Sequence, residues 1–119
     1  MEKRWPGWVY DEGSEPDPRF SFANERTLLA WVRTGLALLA GGVALHAFPL
    51  SISPNLRRGS AVLLVVLGVV AVVAGWLRWA SSERAMRRGD PLPGFALAGA
   101  LTALVIIAAL VLLVITLSP

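Results

Sequence analysis

Three apolar runs, residues 28–48, 59–79 and 95–117, decide what this chain can fold into. A helix rises 1.5 Å per residue, so about twenty residues cover roughly 30 Å, the hydrocarbon thickness of a bilayer. Inside that layer every backbone N–H and C=O must find a partner within its own segment, which a helix provides. None of the runs shows the two-residue alternation of a strand. The expectation is an all-α integral membrane protein with three transmembrane helices and a short amphipathic N-terminal interfacial helix. Residues 1–16 read as a flexible N-terminal arm and residues 17–119 as the three-helix transmembrane domain, with spans of about 28–48, 59–79 and 95–117.

Composition agrees. Hydrophobic residues make up 55% of the 119 positions and charged residues 16%, too apolar a balance for an ordinary soluble domain of this size. Cysteine is absent, which excludes disulfides, thiolate nucleophiles and thiolate metal sites. One histidine does not make a His-based metal site. No nucleophile is paired with a general base in the sequence. The expectation is therefore no enzyme, no catalytic residue, no metal and no cofactor. The formal net charge of +3 would suggest nucleic acid in a soluble protein, but these basic residues flank the spans. No nucleic-acid partner is expected.

Within the arm, Trp5, Trp8 and Tyr10 are suited to a membrane interface. Its polar character does not indicate a cleaved signal peptide. Asp17-Pro18 is a helix start: the aspartate caps, and proline fits the first helical position. Arg19 to Thr27 reads as an amphipathic lead-in. Pro49 to Arg58 reads as a loop. Trp76, Arg78 and Trp79 mark a headgroup boundary at the end of the second span. Helix can continue to about Arg88, where Gly89 ends it and Pro91 and Pro93 delay a restart until Phe95. Lys3, Arg4, Arg19, Arg26, Arg78, Arg84, Arg87 and Arg88 lie on one side, and Arg57 and Arg58 on the other. That bias places the N-terminus and second loop in the cytoplasm and the C-terminus outside the plasma (inner) membrane.

Helices in lipid associate through small residues. The first span offers Gly35, Ala37, Gly41 and Gly42, the second Gly68 and Gly75, and the third Gly94, Ala98 and Thr102 with Gly99 and Ala103 beside them. These residues serve either packing within one chain or contact between subunits, and the sequence leaves both open.

Arg26 and Arg33 are seven residues apart and so share a helix face, which continues as Ala30, Ala37, Ala40 and Ala44. Around a common axis, several copies would form a positive vestibule above a small-apolar throat, and rings of Arg select anions and phosphates. The plainer alternative is snorkelling: Arg33 lies roughly 8 Å beyond Leu28, within reach of headgroups. Pairing with Glu25, Glu83 or Asp90 is a further alternative. Arg84, Arg87 and Arg88 serve equally as topology determinants and as contacts to anionic lipid. His46 reads as an interfacial residue, and Thr27 and Thr34 can bond back to their own helix. No acid falls within a span, which disfavours a proton-coupled multidrug antiporter.

The run DPRFSFANERTLLAWVRTGLALLAGGVAL, Asp17–Leu45, resembles the signature of the YidH-like family, domain of unknown function 202. The segment from Arg78 to Pro93 resembles that family's second-loop pattern, and the likeness extends over about residues 17–117. The resemblance implies a small three-helix bacterial inner-membrane protein. It also implies a relation to the membrane domain of the vacuolar transporter chaperone complex, whose first-span basic residues line a polyphosphate pore. The matching positions here are Arg26 and Arg33, with Arg87 nearby as a third anion- or lipid-phosphate-binding candidate. Asn24, Glu25 and Trp31 match the motif in a structural role. Neither a polyphosphate-synthesising nor a phosphate-sensing domain is expected from this sequence.

Two functions follow as expectations. One is a homo-oligomeric module whose first helix lines a pore for anions such as phosphate or polyphosphate. The other is a non-conducting scaffold or accessory subunit that binds anionic membrane lipids or a partner membrane protein.

Overall fold

Asp17 starts the first long helix as expected. Its side chain accepts the Arg19 backbone N–H at 2.9 Å and the Arg19 guanidinium at 2.8 Å, and these bonds hold its carboxyl below the usual aspartate range. The computed structural model describes residues 3–48 and 51–118. It contains α1 (Gly7–Tyr10), α2 (Pro18–Ala47), α3 (Pro54–Arg88) and α4 (Ala96–Leu117). The last three are each long and apolar enough to cross a membrane.

The amphipathic lead-in is not a separate element. No proline interrupts Arg19 to Ala47, so lead-in and span form one continuous α2. The expected loop over Pro49–Arg58 is shorter than its sequence reading. Pro49 and Leu50 lie outside the described residues, but α3 already begins at Pro54, capped by the Ser53 hydroxyl accepting Leu56 N–H at 3.2 Å. Proline at that position costs no hydrogen bond. Gly89 ends α3 in the left-handed region at φ 73°, and the N–H of Asp90 closes on the Ala85 carbonyl at 2.9 Å.

α2 and α3 run antiparallel along a seam of small residues. Gly35 faces Val72 and the Gly68 carbonyl, while Gly42 faces Val65 and the Ala61 carbonyl. A β-carbon on Gly35 would lie 2.6 Å from Val72 Cγ2, so the close approach requires glycine there. Of the two readings of these residues, packing within one chain accounts for Gly35, Gly42, Gly68 and Gly75. α4 is different. It meets α3 and stays clear of α2, and Ala108 is its one buried residue. The bundle is elongated, 61 × 26 × 21 Å, and its outer faces expose Leu29, Leu36, Val43, Val62 and Val69. In lipid such faces carry no penalty.

Candidate functional site

The polar residues gather at the end of the hairpin that carries the N-terminal arm. Three clusters lie there: two each join a pair of elements, and the third is carried by α2 alone.

The first joins α2 to α3. Asn24, 8% exposed, donates its amide to the Trp79 carbonyl at 3.0 Å and to Glu83 Oε1 at 3.3 Å. Ser21 donates its hydroxyl to Glu83 Oε2 at 3.3 Å. Glu83 is 3% exposed, so both carboxylate oxygens are satisfied inside the protein. The sequence suggested Glu83 as a partner for Arg33, and the structure corrects this, because the acid faces α2 across the seam. A signal for it existed. Ala61, Gly68, Gly75 and Ser82 recur every seven residues, so the seam continues past the boundary at Trp79 and carries Glu83 into it.

The second cluster ties the arm to α3. Arg87, 8% exposed, donates to the carbonyls of Glu12 at 2.9 Å and Tyr10 at 2.8 Å and to the Glu15 carboxylate at 3.0 Å. Its guanidinium also lies 5.4 Å from the centre of the Tyr10 ring. Arg84 and Arg88 reach Glu12, and Arg4 pairs with Glu15. Pro6 and Val9 are fully buried under this strap, and Trp5 and Trp8 rest on Trp76. The arm is thus seated on α3. Arg87, a candidate for phosphate, has each of its three nitrogens engaged by the arm and stands apart from Arg26 and Arg33. The pairing joins residues 72 positions or more apart, beyond the reach of local spacing.

The third cluster is the stripe on α2. Arg26 and Arg33 are exposed, and the ion pairs of the described residues include neither. At 100° per residue they sit about 170° around α2 from the seam defined by Asn24, Gly35 and Gly42. Ala30, Ala37 and Ala40 on the same stripe are exposed as well. Glu25 is exposed. Trp31 is buried against Gly75, so Asn24 and Trp31 of the motif are packing residues of the seam. Thr27 and Thr34 bond back to Ala23 and Ala30, both at 3.1 Å. Among the described residues no three histidine or acidic side chains converge as metal ligands would.

A tight helix hairpin with a buried polar lock, plus a third apolar helix, defines a multi-pass helical membrane protein. A family model described as a domain of unknown function, DUF202, matches residues 19–85, from the first turn of α2 through most of α3. An uncharacterised protein of Mycobacterium tuberculosis is 50% identical over 80 residues, 66% of this chain, and the chain spans 66% of that relative's length. The inner membrane protein YidH of Escherichia coli is 46% identical over 82 residues, 68% of this chain and 71% of YidH. The same figures hold for YidH of Shigella flexneri. The chain belongs to the YidH-like DUF202 family and is a multi-pass inner-membrane protein. No solved structure matches it.

Proposed function

We propose that the protein is a homo-oligomeric membrane module whose α2 helices, arranged around a shared axis, line a path for phosphate-type anions, polyphosphate included. In this reading its N-terminus faces the cytoplasm, which the distribution of Lys and Arg supports. The observation that carries this reading is the outward Arg26–Arg33 stripe. Two arginines on one face, turned away from α3 and without an acid partner among the described residues, are free to take a counter-anion from outside the chain. Exposed Ala37 and Ala40 below them are small enough for helices of neighbouring copies to approach. The reading assigns the protein no catalysis.

A second reading has its own observation. Trp31 touches Gly75, so Arg33 lies level with about residue 73, one helical turn inside Trp76. From there, roughly 5 Å below the aromatic boundary, an arginine can extend to lipid phosphates. A monomeric or partner-bound scaffold that holds anionic lipid would use the same side chain in this way.

Native mass spectrometry and conductance in planar bilayers separate the two. The pore reading expects a closed oligomer with anion-selective conductance, and loss of that selectivity in Arg33→Ala. Conductance whose selectivity survives Arg33→Ala, or a monomer that conducts nothing, overturns it and leaves the scaffold.

A further inference from the structure

Two openings lie on the side where α4 stands off from α2. One, about 250 Å³, is at the arm end, with Ala23, Thr27, Arg78, Ser82 and Leu92 on its wall. The other, about 380 Å³, runs between α2 and α4 and is walled by Ala30, Thr34, Ala98, Thr102 and Ile106. Ala23, Thr27, Ala30 and Thr34 share one stripe of α2, since steps of three and four residues return to the same side of a helix. The two openings therefore follow one another along a single track, a quarter-turn around α2 from Arg26 and Arg33.

The ends of the track differ chemically. At the mouth, the Arg78 Nε is shielded from solvent and has no acceptor. No ion pair of the described residues includes Arg78. Ser82, 6% exposed, lies on the same wall. Asn24 lies there too, but its amide is engaged by Trp79 and Glu83, so Arg78 and Ser82 remain as donors. Further along, the hydroxyls of Thr34 and Thr102 are turned onto the Ala30 and Ala98 carbonyls, at 3.1 Å and 2.7 Å. The rest of the trough wall between α2 and α4 is mostly apolar, with Leu101, Val105 and Ile106 on the α4 side. Glu83 sits behind Asn24, which disfavours a compact, multiply charged anion deep in the mouth.

We propose that this track holds one phospholipid. Its singly charged phosphodiester sits on Arg78 and Ser82, and one acyl chain fills the trough where α2 and α4 do not meet. A head of one negative charge joined to a long apolar tail matches the order of the two openings, whereas free phosphate matches only the first. The site shares Ala30 with the edge of the α2 arginine stripe but neither of its arginines, and it stands whether or not that stripe conducts.

The test is lipid retention by the full chain, measured by native mass spectrometry after delipidation in detergent and re-addition of phosphatidylglycerol. One lipid per chain is expected. Arg78→Gln should weaken retention roughly fivefold, the worth of one arginine at a lipid surface. Arg78→Lys should restore most of it, and Arg57→Ala, at the opposite end, should change nothing. Ala98→Leu, on the α4 wall and off the arginine stripe, should fill the trough and expel the lipid while Arg78 remains. Retention unchanged in both Arg78→Gln and Ala98→Leu overturns the proposal. So does inorganic phosphate that competes the lipid away at equal concentration, or a chain dimer that Ala98→Leu dissociates. Circular dichroism of each variant separates loss of lipid from loss of fold.

Discussion

Trp31 packs against the bare backbone of Gly75: a β-carbon placed there would stand 2.4 Å from the Trp31 Cβ. The contact joins the middle of α2 to α3 just inside the aromatic boundary. Gly75→Ala must therefore push the indole or part the helices. The expected cost is about 1–3 kcal/mol, the range for overpacking a filled interior. Gly59→Ala, with nothing near its β-carbon, should be neutral or slightly stabilising. Unfolding in increasing sodium dodecyl sulfate, followed by helicity, compares the two, and equal midpoints would contradict the seam.

The Asn24–Glu83 lock makes a second prediction. Asn24→Ala leaves a buried carboxylate with the Ser21 hydroxyl alone, at a cost of about 1–3 kcal/mol. Asn24→Asp should be worse, because it sets a second carboxylate against Glu83 with no cation between them. Detergent unfolding again gives the order: wild type, then Ala, then Asp.

The arm should come loose when its clamp is removed. Gly13 sits at φ +51°, and a β-carbon there would fall 1.7 Å from the Arg87 carbonyl. Gly13→Ala and Arg87→Ala should each free residues 3–16 while leaving the α2–α3 hairpin intact. Limited proteolysis reads this directly. Cleavage near Tyr10 should accelerate by roughly tenfold or more, as expected when a buried hydrogen-bonded arginine is lost. Uniform cleavage rates across wild type and both variants would mean that the strap contributes no protection.

The Asp17 cap carries a pH dependence of known sign. Bonds from Arg19 lower the carboxyl's folded pKa beneath the unfolded value of 3.8. A group depressed in the folded state contributes stability above its unfolded pKa and loses it as pH falls through the folded one. The first turn of α2 should therefore hold at pH 5 and loosen below the ordinary aspartate range. A carbon-13 titration of Asp17 should show a midpoint under 3.8, moved upward in Arg19→Ala. A midpoint at or above that value would remove the cap's pH term.

Membrane class, three spans, the Asp17 start and the Gly89 stop were all legible in the linear chain. Apolar runs of bilayer length have one stable backbone solution in lipid, and capping residues act on backbone groups a few positions away. The small residues of the seam were legible too, since their spacing is a property of one helix, but whether they pack within one chain or between subunits was not. Which arginine is free and which is claimed was not. Arg26, Arg33, Arg78 and Arg87 look alike by spacing, yet the fold gives Arg87 three acceptors from the arm and leaves Arg78 an unpartnered Nε in a crevice. Glu83 likewise finds Asn24 59 positions away only once α2 and α3 have closed. Periodicity fixes the face of a helix on which a residue stands. The element that arrives opposite that face, and so the counter-charge, is decided by tertiary packing.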